Sequence, residues 1–178
     1  MDEQQIIDAC VRGESWARKS VYELYAPAMM SLCLRYVGNY ETARDLLQDG
    51  FIKVFAKVGT YSHKGVFAAW MHRVFVTTAL EHLRKTDALR SAVDIVDYSV
   101  QFEDVNVSAL DKLSADDLMD CIRKLPSGYR TVFNMFAMEG YSHSEIAETL
   151  GISVVTSRTQ FLRARNALQK SVKCLIGK

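Results

Sequence analysis

The chain has 178 residues, 49% of them apolar and 24% charged, with a formal net charge of +1. That length suits one large domain or two small ones, and the apolar share is enough for a packed core. With only two prolines and nine glycines it is neither fibrous nor disordered, and no apolar run approaches the roughly 20 residues of a membrane span.

The N-terminal MDEQQIIDAC lacks the basic segment of a secretory signal, so a soluble cytoplasmic protein is expected. Cys10, Cys33, Cys121 and Cys174 stand apart without a CxxC pair, and His63, His72, His82 and His143 do not cluster with them. Reduced thiols are expected, with no disulfide framework, metal or cofactor. The small net charge hides a segmentation. Residues 1–86 carry 11 basic against 9 acidic side chains, residues 87–120 carry 2 against 9, and residues 121–178 carry 9 against 3. Two neutral-to-basic heads therefore flank an acidic connector.

In chain order, a first helix is expected around Ser15–Tyr25 and another after Pro27 to about Val37. In ETARDLLQDGFIKVFAKV the set Ala43, Leu46, Leu47, Gly50, Phe51, Val54, Phe55, Val58 steps by three and four, with Asn39 upstream as a plausible cap. The opposite face of that helix, 41–57, carries Asp45, Gln48, Asp49 and Lys53. VFAAWMHRVFVTTALEHLRK is a second such helix, 66–85, with Phe67, Trp70, Met71, Val74, Phe75 and Thr78 on one stripe. Arg73, Thr77, Glu81 and Arg84 form the stripe opposite, and the loop YSHKG before it adds His63 and Lys64. Phe67 and Trp70 are read as core because they lie on the apolar stripe.

Residues 87–113 show no sustained period and read as an acidic linker. In SADDLMDCIRKL, Ser114 is an N-cap with acids in the first turn, and Pro126 stops the helix. YRTVFNMFAM would place Tyr129, Val132, Phe133 and Phe136 on one face, with Gly140 as its C-cap. YSHSEIAETLG opens on a capping box, Ser142 with Glu145, and buries Ile146, Ala147 and Leu150. Gly151 turns the chain, Ile152 anchors the turn and Ser153 caps the next helix. After Glu148 there is no further acid, but there are six Lys or Arg. This is the pattern of a helix-turn-helix, whose second helix enters the major groove. Arg158, Thr159, Gln160, Leu162 and Arg163 lie near its first turns, where base edges are reached. Arg163, Arg165, Lys170 and Lys173 suit phosphates.

LPSGYRTVFNMFAMEGYSHSEIAETLGIS with TSRTQFLRAR is similar to region 4 of the extracytoplasmic-function sigma factors. SVYELYAPAMM, ARDLLQDGFIKVF and VFAAWMHRVFVTTALEHLRK resemble region 2 of the same family, in the family's order. The resemblance covers residues 15–86 and 114–172 and implies an all-α protein of two helical domains. Residues 1–86 would be region 2, 87–113 the linker and 114–178 region 4. It implies that Asp45, Gln48, Asp49 and Lys53 dock on the β′ coiled coil of core RNA polymerase. It implies that His63, Lys64, His72, Arg73, Thr77, Glu81, Arg84 and Lys85 meet the −10 element. Ser142, Thr156, Arg158, Thr159, Gln160, Leu162, Arg163 and Arg165 would meet the −35 element. The further partners implied are the β flap of the polymerase and an anti-sigma factor anchored in the membrane, with no cofactor and no small-molecule substrate. Two departures stand out. Thr77 occupies a place where the family commonly has asparagine, with Val76 beside it where a basic residue is frequent. Val155 occupies a place where region 4 usually has a glycine before the recognition helix.

Two rival readings remain open from the sequence: a stand-alone helix-turn-helix regulator, and a sigma mimic that titrates an anti-sigma factor. No phosphate loop, HExxH or nucleophile motif supports an enzyme.

Overall fold

The computed structural model describes residues 3–86 and 114–176, so the linker expected at 87–113 lies outside the described residues. Among the described residues all regular structure is helical, and the chain divides after Lys85 into two compact units.

The first unit holds α1 (Glu3–Val11), α2 (Ser15–Val37), α3 (Tyr40–Lys57), a short 3-10 turn (Val58–Thr60) and α4 (Phe67–Lys85). Helix α3 starts where Asn39 accepts a hydrogen bond from the Thr42 N–H at 2.8 Å, the expected cap. Its apolar positions interlock with α2 and α4 around Tyr36, Leu46, Phe51, Val54, Phe67, Met71 and Phe75, all buried. Phe51 meets Phe75 edge-on, with ring centroids 5.2 Å apart. Trp70 and Val74, expected on the buried stripe, are only half-buried at its margin.

Two findings differ from the sequence reading of this unit. Helix α1 was not anticipated, although Ile7, Ala9 and Cys10 are buried and it packs on α2. The helices expected on either side of Pro27 are one continuous helix, α2. A proline costs a helix interior about 3 kcal/mol. Val21 and Ala17 before it, and Met29, Leu32, Cys33 and Tyr36 after it, are all buried. Burial of that many side chains outweighs a single local defect.

The second unit holds α5 (Ala115–Arg123), α6 (Ser127–Phe133), a π-helical turn (Asn134–Met138), α7 (His143–Leu150) and α8 (Val154–Ile176). Ser114 and Asp117 form a capping box at the start of α5. Arg130 is buried and turned inward: its Nη1 donates to the Arg123 carbonyl at 2.7 Å and the Leu125 carbonyl at 3.1 Å. It thereby satisfies carbonyls that the end of α5 leaves open. Cys121, Ile122, Leu125, Ala164 and Leu168 form the core where α5 and α6 meet α8.

The face expected from Tyr129, Val132, Phe133 and Phe136 is broken. Val132 is buried, Tyr129 and Phe133 are half-buried, and Phe136 is exposed. A π turn follows, marked by the Glu139 N–H reaching the Asn134 carbonyl, five residues back, at 3.0 Å. The buried positions Gly128, Thr131, Val132 and Met135 step by three and four as in an ordinary helix, so the inward face is a stripe beside the expected one, and Phe136 faces outward.

Candidate functional site

Helices α7 and α8 form the anticipated helix-turn-helix. The Ser142 N–H donates to Glu145 Oε2 at 2.8 Å, and the Glu145 N–H donates to Ser142 Oγ at 3.2 Å. The hydrogen bond from the Ser142 backbone, then that from its hydroxyl, holds the Glu145 carboxyl below the usual carboxylate range. Gly151 adopts φ 68°, a left-handed conformation that glycine takes without strain, and its N–H closes on the Ala147 carbonyl. Ser153 Oγ then accepts from the Thr156 N–H at 2.9 Å and starts α8. Ser142 and Thr156, both assigned to the −35 element by resemblance, thus have structural roles in the turn. Ser142 caps α7, and the Thr156 hydroxyl sits 2.9 Å from that of Ser153.

One face of α8, made of Ser157, Gln160, Ala164, Leu168 and Val172, is buried. Gln160 therefore does not stand among residues able to reach base edges. Its spacing of three from Ser157 and four from Ala164 turns it into the core. Val155, Arg158, Arg165 and Lys170 are exposed, while Thr159, Leu162 and Arg163 are half-buried. Arg163 Nη1 lies 3.5 Å from the Tyr129 hydroxyl. Arg158 and Arg165, seven apart, line one edge of the outward face, and Arg163 and Lys170 line the other. Val155 is the second residue of α8, inside the helix rather than before it.

His143, not singled out as a site residue from sequence, clamps the motif. Its ring stacks on Phe136 with centroids 4.3 Å apart, and its Nδ1 lies 2.9 Å from Ser157 Oγ on α8. A histidine directly after a capping serine, 14 positions before a serine on the next helix, is too common a pattern to reveal this. Burial, with a smaller contribution from the Arg158 charge, lowers its pKa from the ordinary 6.5. The folded-state value lies below the unfolded one, so its contribution to stability is complete above pH 6.5 and is lost as pH falls through the lowered pKa. Hydrogen exchange in α7 and α8 is expected to quicken between pH 7 and pH 5 in the wild-type protein, relative to α3. In His143→Gln that relative change should be absent, and an unchanged pH response in the variant would remove His143 as its origin.

In the first unit, Asp45, Gln48 and Asp49 are exposed on α3, away from Leu46, Leu47, Gly50 and Phe51. Lys53 departs from them: its Nζ lies 2.5 Å from Glu81 Oε2 on α4. That hydrogen bond, aided by the charges of Lys53, Lys57 and Lys85, holds the Glu81 carboxyl below its usual range. Two residues expected to serve different partners thus neutralise each other. Arg73, Thr77, Glu81 and Arg84 do form an exposed stripe on α4, with Lys85 exposed at its end and His72 half-buried beside it. The Thr77 hydroxyl donates back to the Arg73 carbonyl at 2.9 Å. Val76 is buried, so it is not on the outward stripe.

His63 and Lys64 are exposed in the loop before α4. His63 adopts φ 56°, and among the described residues it is the one non-glycine with a left-handed backbone. Its Nδ1 lies 2.8 Å from Gln4 Nε2 on α1, and its ring is 5.0 Å from that of Tyr61. Tyr61, Phe67 and Trp70 continue this aromatic cluster, Phe67 and Trp70 stacking at 5.5 Å. Phe67 is core, as expected.

Residues 21–89 match the family described as Sigma-70 region 2, and residues 115–168 match Sigma-70, region 4. The chain belongs to the sigma-70 family. The ECF RNA polymerase sigma factor SigW of Bacillus subtilis is 29% identical over 177 residues, 92% of this chain and 93% of that protein. The RNA polymerase sigma-H factor of Pseudomonas aeruginosa is 26% identical over 184 residues, 98% of this chain and 95% of that protein. The fold is shared with the sigma factor RpoE from Bartonella quintana, solved in complex with the anti-sigma factor NepR. That likeness has a TM-score of 0.50 at 22% identity, over 87% of this chain and 96% of the other.

The relatives place the chain in the extracytoplasmic-function branch of the sigma-70 family, as a sigma factor for transcription initiation. Sigma factors are DNA-binding initiation factors rather than enzymes. Among the described residues no helix is long and apolar enough to cross a membrane, and no group of His, Cys, Asp or Glu is placed to hold a metal ion.

Proposed function

We propose that this sigma factor directs core RNA polymerase to promoters with separate −35 and −10 elements. Helix α8 reads the −35 element from the major groove, and α4 with the loop before it engages the −10 element. The exposed face of Asp45, Gln48 and Asp49 on α3 docks on the β′ coiled coil, and the second unit meets the β flap. The observation that carries this reading is the outward face of α8. Cations border both of its edges, Arg158 with Arg165 and Arg163 with Lys170, and it holds no acid. A helix lying in the major groove meets a phosphate row on each side, which such edges suit. The protein works in the cytoplasm, without catalytic chemistry or cofactor, under an anti-sigma factor anchored in the membrane.

Transcription reconstituted from purified core polymerase, this protein and genomic DNA tests the reading. Initiation is expected at discrete sites. Adding two base pairs between the two elements of such a promoter shifts them by about 7 Å and rotates them by about 70°. Heads held at one separation on the polymerase cannot follow that change. Transcription should fall at least about tenfold, which needs only about 1.4 kcal/mol of lost binding. Flat activity across spacers, or no discrete start sites, would favour a free-standing regulator.

A further inference from the structure

Of the first eight residues of α8, Val154 to Phe161, Val155 and Arg158 are the exposed ones. Val155 is 70% exposed, more than any other large apolar side chain among the described residues. The hydroxyls around it already have partners inside the protein. Ser153 and Thr156 bond each other at 2.9 Å, Ser157 bonds His143, and the Thr159 hydroxyl donates to the Val155 carbonyl at 2.9 Å. Gln160, the amide that would suit an adenine edge, is buried. The exposed side chains in the N-terminal part of this helix are thus one guanidinium and a branched aliphatic surface.

Residues 155, 159, 162 and 166 fall on one line along the helix, between the two cationic edges. A helix seated by those edges would hold Val155 against the floor of the groove near its own N-terminus. The floor of the major groove presents one apolar group, the C5-methyl of thymine, while the guanine O6 and N7 acceptors suit an arginine. Resting on the assignment of α8 to the −35 element, we infer that Val155 is a specificity-determining residue that reads a thymine methyl there. Since the contact is apolar, it discriminates by the methyl alone and is blind to the hydrogen-bonding edge of the base.

Replacing deoxythymidine with deoxyuridine isolates that prediction, because it removes the methyl and leaves every hydrogen-bonding group in place. The −35 element is first obtained by transcription with core polymerase and the full-length protein from promoters with a randomised −35 segment. Each thymine of the selected element, on either strand, is then replaced singly by uracil. With the wild-type protein, one position should lower promoter occupancy and initiation by about threefold to fivefold, the scale of one buried methyl. With Val155→Ser the thymine and uracil promoters should become equivalent at that position, while binding to core polymerase is unchanged. Because Val155 is exposed, this substitution leaves the fold intact, and Val155→Ala should give an intermediate ratio.

An element without thymine, or one in which no uracil matters, overturns the inference. So does a uracil penalty that survives Val155→Ser, or a variant that loses activity equally on both promoters, which would assign Val155 to a protein contact. The sigma reading stands in all these cases. It fails separately, if no promoter of the randomised pool is used.

Discussion

Asp49→Lys is expected to weaken binding to core RNA polymerase by at least about a hundredfold, roughly 2.7 kcal/mol, without unfolding the protein. Asp49 is exposed on the outer face of α3, where a substitution shifts stability by no more than about 0.5 kcal/mol. The change even relieves a conflict inside the free protein. Asp45 and Asp49 are like charges one helical turn apart, and a lysine at 49 would convert them into an acid–base pair in the favourable order. Docking reacts in the opposite sense. A partner that selects an acidic face supplies cations to it, and opposing like charges at an interface costs several kcal/mol. Affinity for purified core polymerase, measured beside the thermal midpoint of the free protein, separates the two effects. An unchanged midpoint with binding within threefold of wild type would return this face to ordinary solvated surface. Lys53→Met gives the contrast: it releases Glu81 on α4, so its effect should fall on promoter DNA rather than on polymerase docking.

Features legible in the sequence were those settled by nearby residues. Asn39, Ser114 and Ser142 cap helices through bonds spanning three residues, and Gly151 ends α7 through its own backbone conformation. The outward stripe of α4 followed from helical period alone. Several misjudged features depend on partners far along the chain. Helix α1 is too short to be stable by itself and forms against α2. The continuity of α2 through Pro27 is decided by its packing against α1, α3 and α4. Gln160 lies on the buried stripe of Ala164, Leu168 and Val172, a period present in the sequence, but its polar amide and its place in the first turns suggested a base contact instead. The pair Lys53–Glu81 spans 28 positions. Phe136, expected in the core, is instead the outer wall of the His143 cluster, because the buried face of this segment runs through Thr131, Val132 and Met135.

Gly50→Ala is expected to destabilise the first unit by about 2 kcal/mol, although alanine is the better helix former. Glycine in a helix interior is worse than alanine by about 1 kcal/mol, so propensity alone predicts a more stable protein. Packing predicts the reverse. A Cβ built on Gly50 would lie 2.2 Å from Cε1 of Phe75 and 2.5 Å from its Cζ, well inside van der Waals contact. Phe75 is fully buried and its ring abuts Phe51, so it has no open direction in which to retreat. Either α3 and α4 move apart or the ring leaves its rotamer, and overpacking of this kind costs about 1–3 kcal/mol or more. The expected net loss takes the upper end of that range and subtracts the propensity gain. Urea unfolding of Gly50→Ala, Phe75→Leu and the double variant separates the terms. If the clash is the cause, Gly50→Ala should destabilise the wild-type background but be neutral or favourable in the Phe75→Leu background, a coupling of at least about 1 kcal/mol. Additive losses would mean that the helices do not cross at Gly50. Because Asp49 immediately precedes Gly50, the same close crossing fixes how the acidic face of α3 is presented. The Gly50→Ala variant should therefore also bind core polymerase more weakly, and Phe75→Leu in the double variant should restore part of that binding.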